Sequence, residues 1–146
     1  MKMQIIKKDE ELYQYLPQRP PFVMVDKLYE KGASYVVSGL EVKDSNILVE
    51  NGVFNEGGLV ENIAQTAALY AGTKFIDAGQ EVPVGYIAGI KKLKIKAQPL
   101  VGEEIYTRTT LTHDFSNIQV VEGAVFNMKD ECIAECELRI FIKQES

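Results

Sequence analysis

The 146-residue chain has no tryptophan, one histidine, two cysteines and five prolines, and its 16 basic residues are outnumbered by 21 acidic ones. Each scarcity argues against a class of function. One histidine and two cysteines offer few soft ligands to a structural zinc site, so no metal centre is expected. A formal charge of −5 is the wrong sign for a general nucleic-acid binder. No apolar run approaches the roughly 18 residues that a membrane span needs. The opening MKMQIIKKDEEL is too charged for a signal peptide, so a cytoplasmic protein without a membrane span is expected. There is also no internal repeat, low-complexity run or Pro/Gly/Ser-rich linker. One domain over residues 1–146 is the economical reading.

What is present reads as an α+β order. The segment LPQRPPFVMVDKL, Leu16 to Leu28, carries three prolines that forbid a regular helix across Pro17–Pro21. It predicts a stiff loop leading into a short strand, Phe22–Val25. Strands are expected over 34–42 and 47–54, with Asp44-Ser45-Asn46 as the turn. From Gly58 to Ala78 the pattern changes to an Ala- and Leu-rich helix with apolar residues at three- and four-residue spacing. Asn55 is placed to cap it and Gly79 to stop it. The remaining chain alternates as strands should: 91–96, 105–112, 118–128 and 132–142. In KKLKIK, Leu93 and Ile95 are expected on one face and Lys92, Lys94 and Lys96 on the other. In the last strand Cys132, Ala134, Cys136, Leu138, Ile140 and Ile142 share a face, the signature of an antiparallel sheet with one wet side. A long helix beside such a sheet must lie across it to bury its apolar stripe.

Several residues invite a chemical role. Cys132 and Cys136 are four apart on one strand, about 13 Å, too far for a disulfide, so buried inert thiols are expected. His113, followed by Asp114, suggests a catalytic pair, but no Ser or Cys nearby sits in a nucleophile elbow. A strand-end histidine bonded to water or backbone is the simpler account. Lys91, Lys92, Lys94 and Lys96 form a basic patch, readable as a solvated strand face or as a docking site for an acidic or phosphate-bearing partner. Glu61 and Gln65, at i and i+4, share a helix face that continues through Ala68 and Gly72. A carboxylate on that small-residue face must be paired, protonated or turned toward a cavity; a salt-bridged surface Glu is the alternative. Gly57 and Gly58 offer backbone N–H groups at the helix N-terminus for a carbonyl or oxyanion.

Three stretches, in order, resemble the 3-hydroxyacyl-[acyl carrier protein] dehydratases of the hotdog superfamily. LPQRPPFVMVDKL is similar to that family's LPHRxPFLLVDR segment, LVENIAQTAALYAG to its E-A-M-A-Q helix, and YIAGIKKLKIKAQPLVGEEI to its A-G-I-D-x-x-x-F-x-x-P-V-x-P-G-D stretch. The resemblance implies a long central helix wrapped by an antiparallel sheet. It also implies homodimers whose sheets join side by side, with acyl tunnels at the interface. The substrate would be carried on the phosphopantetheine of acyl carrier protein or coenzyme A, and no separate cofactor would be needed. The resemblance further implies a histidine base in the first segment, and a helix carboxylate from the other subunit that protonates the departing 3-hydroxyl.

Carried over residue by residue, the carboxylate is Glu61, the helix glutamine is Gln65, and Gln18 stands at the histidine position. A carboxamide hydrogen-bonds but is not a usable base, whereas imidazole titrates near 6.5. A second departure lies before the helix, where the family's H-F-P-x-x-P-x-x-P-G is replaced by ILVENGVFNEGG, which has none of those prolines and whose Gly pair lies one or two positions later than the family glycine. The expected function is therefore dehydratase-like binding of acyl thioesters in lipid biosynthesis, weak or inactive alone. A partner subunit completing a site with a histidine-bearing paralogue fits the same residues. So do a thioesterase using Glu61 with an amide partner and a non-catalytic acyl-carrier binding module. Gly57 and Gly58 are the expected thioester-carbonyl site, and Lys92, Lys94 and Lys96 the expected carrier-docking patch.

Overall fold

The computed structural model describes residues 3–143. In chain order the elements are β1 (Lys7–Lys8), a single 3-10 turn (Asp9–Leu12), β2 (Lys27–Lys31), β3 (Tyr35–Glu41), β4 (Val49–Glu50), β5 (Val53–Phe54), α1 (Glu56–Ile76), β6 (Gly85–Ile95), β7 (Glu104–Phe115), β8 (Ile118–Asn127) and β9 (Cys132–Ile142). Seven strands form one antiparallel sheet in the order β1-β2-β3-β7-β8-β9-β6, while β4 and β5 make a separate hairpin. The single long helix packs on one face of the sheet, the hotdog arrangement implied by the resemblance.

Its ends obey local chemistry. The Asn55 side-chain oxygen accepts from the Gly58 N–H at 2.8 Å, which makes it the N-cap. At the other end Gly79 adopts φ +72, with Gly79 N–H bonded to Ile76 O and Gln80 N–H to Phe75 O. That bond pair is a Schellman stop, which requires the left-handed conformation that glycine adopts without penalty. The helix begins and ends two residues earlier than the composition suggests.

Inward residues of α1, β3, β7, β8 and β9 build the main core around Leu59, Ile63, Ile105, Val121, Val125 and Leu138, all buried. A second cluster, with Leu12, Leu16, Val25, Val36 and Leu69, lies under the proline-rich N-terminal segment. A network of buried polar groups threads between helix and sheet. Thr107 Oγ1 donates to Asn62 Oδ1, while Thr66 Oγ1 bonds both Asn62 O and Ser38 Oγ. Buried polar groups of this kind are tolerated only when paired, so they fix the angle and register of the helix on the sheet.

Three expectations are corrected. Phe22–Val25 is not a strand, because its backbone groups are taken by helix side chains: Gln65 binds Phe22 O and Met24 N–H, and Asn62 binds Met24 O. The strand comes later, as β2. The expected strand 47–54 breaks at Asn51-Gly52, which take φ 53 and 77 and turn the chain into the β4–β5 hairpin. The alternation of KKLKIK is interrupted by a bulge between Lys91 and Lys94, with Lys92 at φ 56. Leu93 is consequently exposed, while Ile95 stays turned inward opposite Ala134.

Candidate active site

A stripe of small residues makes the site. Ala64, Ala67, Ala68 and Ala71 repeat at three and four positions along α1, so one helix face lacks the bulk to reach the sheet. The space left is a cavity of about 550 Å³, closed by residues 14–18, by residues 82–85 and by the inner faces of β7, β8 and β9. Its walls are mostly apolar, including Leu111, Val121, Ile140 and Ile142. The polar side chains on it include Gln18, Glu61, Thr109 and Gln119. Glu61 and Gln18, far apart in sequence, therefore border one chamber, and neither residue is fully exposed.

Gln65 organises this region. Its carboxamide is wholly buried, with Oε1 accepting from Met24 N–H at 2.7 Å. The orientation is thereby set, and Nε2 donates to Phe22 O at 2.9 Å and to Glu61 Oε1 at 3.0 Å. One side chain both ties the Phe22–Met24 segment to the helix and holds one carboxylate oxygen of Glu61. Among the described residues the hydrogen bond from Gln65 engages only this oxygen, Oε1.

Gln18 is positioned by the chain around it. Arg19 Nη1 donates to Leu16 O at 2.7 Å and to Gln18 O at 2.8 Å, while its guanidinium lies 5.4 Å from the Tyr13 ring centroid. The preceding Tyr15 backbone rests directly on Gly72, where an added Cβ would lie 2.5 Å from Tyr15 O. Tyr15 Oη also donates to Asp77 Oδ1, whose carboxylate is bound by Lys31 at 2.6 Å. That ammonium, through its hydrogen bond, holds the Asp77 carboxyl below its ordinary range. Burial, with the neighbouring carboxylate, raises the Tyr15 phenol.

The other expected residues lie elsewhere. Gly57 and Gly58 do not border the cavity, and the Gly58 N–H is already donated to Asn55. Gly58 is explained by packing, since a Cβ there would meet the Phe54 ring at 2.5 Å. Lys92 and Lys94 line a groove on the outer sheet face together with Arg108, Glu122, Glu135 and Glu137. Lys94 and Lys96 approach Glu135 Oε1 at 3.9 and 4.0 Å, so the patch is of mixed sign. His113 is exposed at a bulge near the end of β7, within 3.2 Å of Thr112 Oγ1 and stacked on Phe115, and it does not border the cavity. Cys136 is buried and its thiol is pushed up to about 11 by desolvation, while Cys132 is only half-buried. Among the described residues no group of His, Cys, Asp and Glu is arranged to hold a metal ion. No helix among them is long and apolar enough to cross a membrane.

Two site-building residues escaped the sequence reading. Asn62 was legible in principle as a poor helix former at mid-helix, where it needs a tertiary partner. Thr109 was hidden in a Thr-rich strand whose alternation alone does not say which threonine is paired.

Comparison with known proteins bears on the fold and the family. The chain is 29% identical to the 3-hydroxyacyl-[acyl-carrier-protein] dehydratase FabZ of Aromatoleum aromaticum over 139 residues, covering 91% of this chain and 95% of that protein. It is 27% identical to the Campylobacter lari FabZ over 143 residues, covering 90% and 94%. Among solved structures, the dehydratase heterocomplex ApeI:P from Xenorhabdus doucetiae superposes with a TM-score of 0.82 at 14% identity, covering 92% of this chain and 91% of that one. A Streptococcus mutans protein bound to acetyl CoA superposes with a TM-score of 0.71 at 16% identity, covering 90% and 98%. A family model described as ApeP-like, ApeP dehydratase, matches residues 10–146, and the chain belongs to that family.

Proposed function

We propose that the chain binds an acyl thioester in the alanine-lined cavity and acts as the Glu61-bearing subunit of a 3-hydroxyacyl dehydratase, with little turnover alone. The observation that carries this reading is the absence of imidazole from the cavity: the sole histidine, His113, is exposed outside it. Dehydration removes a proton from C2 while the C3 hydroxyl leaves as water. Glu61, held through one oxygen by Gln65, has the other free to deliver a proton to that hydroxyl. Gln18 cannot accept the C2 proton, and loss of a positioned base typically costs about 10² to 10⁴ in rate.

A histidine-bearing partner subunit supplies what is missing. In support, the similar Xenorhabdus protein is described as part of a dehydratase heterocomplex. The sheet also ends in β6, whose Tyr86, Ile87, Ile90 and Leu93 are exposed along an edge open to another strand. A second copy of the chain would fit this edge but add no base. The acyl group would arrive on acyl carrier protein, as in the names of the FabZ relatives, or on coenzyme A.

The test is enoyl formation from a 3-hydroxyacyl thioester by the chain alone, by a histidine-bearing homologue, and by the two together. The mixture is expected to exceed either component, and Glu61→Ala is expected to remove the gain. Full turnover by the chain alone would refute the missing-base argument. The Glu61–Gln65 bond also suits a carboxylate that attacks or activates water in a thioesterase; thiol release without enoyl product, abolished in Glu61→Ala, would favour that reading instead.

A further inference from the structure

Among the described residues, two buried side-chain oxygens have no hydrogen-bond partner, Gln18 Oε1 and Thr109 Oγ1, and both residues line the same cavity. Thr109 is 1% exposed. Its isolation is specific to its place in the sheet. Thr107, two residues earlier on the same face of β7, is satisfied by Asn62, and Ser38 on β3 is satisfied by Thr66. Thr109 instead pairs across the sheet with Val36 and Gly123, neither of which has a polar side chain to offer. Leu111 and Val121 continue the cavity wall beside it, and Ala67 faces it from the helix side. A valine of the same shape would fill this position without burying an unbonded hydroxyl. The hydroxyl is explained if something that enters the cavity bonds it.

We propose that Thr109 is a specificity-determining residue, whose hydroxyl donates a hydrogen bond to an oxygen carried on the bound acyl chain. The cavity then prefers an oxygen-bearing acyl group to a saturated one of equal length. Gln18 Oε1 is the complementary orphan, a buried acceptor with no partner among the described residues. An unsubstituted alkyl chain leaves Thr109 unsatisfied, while a hydroxyl on the chain can both accept from it and donate elsewhere. This inference rests on the acyl-thioester reading of the cavity, but it concerns discrimination rather than turnover.

The experiment is equilibrium binding of 3-hydroxyoctanoyl and octanoyl pantetheine thioesters to the purified full chain and to Thr109→Val and Thr109→Ser. The wild type is expected to prefer the hydroxylated ligand by roughly five- to tenfold, the worth of one neutral hydrogen bond. Thr109→Val is expected to bring the ratio near unity while leaving octanoyl affinity unchanged or improved, and to melt no lower than wild type. Thr109→Ser, which keeps the hydroxyl, is expected to retain the preference. An unchanged ratio in Thr109→Val, or an equal fall in affinity for both ligands, overturns the inference while leaving the acyl reading intact. A Thr109→Val chain that fails to fold also overturns it, because the hydroxyl would then have a structural partner. Failure of the wild type to bind either thioester overturns both this inference and the acyl-binding reading beneath it.

Discussion

Replacing Gln65 by leucine removes a side chain on which three groups depend, and its cost can be worked from their environments. Met24 is 1% exposed, so the loss of Gln65 Oε1 leaves its N–H buried without a partner. An orphaned buried donor costs about 1–3 kcal/mol. Phe22 O and Glu61 Oε1 are only partly buried, and water can replace much of what Nε2 supplied, adding about 1 kcal/mol together. Leucine offsets about 1 kcal/mol by burying apolar surface. The net loss is about 1–3 kcal/mol, or a fall in melting temperature of roughly 3–10 °C for a chain of this size.

Urea denaturation of wild type and Gln65→Leu should show a lower midpoint with an unchanged slope, since the surface exposed on unfolding is the same. Gln65→Glu provides a control for the role of charge. It keeps an acceptor for Met24 N–H but turns a second acceptor toward Phe22 O and Glu61. Its deficit should be largest at neutral pH and shrink as pH falls through the carboxylate range, where a protonated carboxyl can donate again. A Gln65→Leu midpoint equivalent to less than about 0.5 kcal/mol of loss would refute the claim that this glutamine holds the N-terminal segment to the helix.

Gly72→Ala should destabilise by about 1–3 kcal/mol, because the new methyl would lie 2.5 Å from a backbone oxygen that cannot swing away. Faster hydrogen exchange over residues 15–18 would accompany it, and an unchanged melting temperature would contradict the contact. Cys136, its thiol pushed up to about 11, should resist iodoacetamide at pH 8 in the native chain while the half-buried Cys132 reacts, and both should react in urea. Equal native rates measured by mass spectrometry would count against the burial of Cys136. Reversing Lys92 and Lys94 to glutamate should weaken binding of an acidic carrier protein but leave the affinity for a pantetheine thioester unchanged. Unaltered carrier affinity would move docking off the outer-face groove.

The family relation and the helix were readable because they depend on local order in the chain. Asn55, the alanine-rich stripe and Gly79 announce a helix with defined ends, since capping and spacing are decided within a few residues. The alternation of Cys132–Ile142 likewise announced a strand whose limits match β9, because one wet and one dry face impose a period of two from Ala134 onward. A bulge, however, sets Cys132 opposite Phe126 and buries Ile133 beside Ala134, so Cys132 does not follow the expected face. Asn51-Gly52 carried a hairpin signal that the surrounding apolar residues masked, and the bulge at Lys92 left no signal in the alternation.

Tertiary structure decided the rest. Phe22–Val25 has the composition of a strand, yet it gave its backbone bonds to Gln65 and Asn62, a competition no local propensity records. Only folding brought Gln18 beside the chamber that holds Glu61, and set Thr109 between Val36 and Gly123, where its hydroxyl has no partner among the described residues. Residue order sets which groups each segment offers. Which of those groups find partners depends on contacts between segments tens of residues apart, which the order of residues alone does not record.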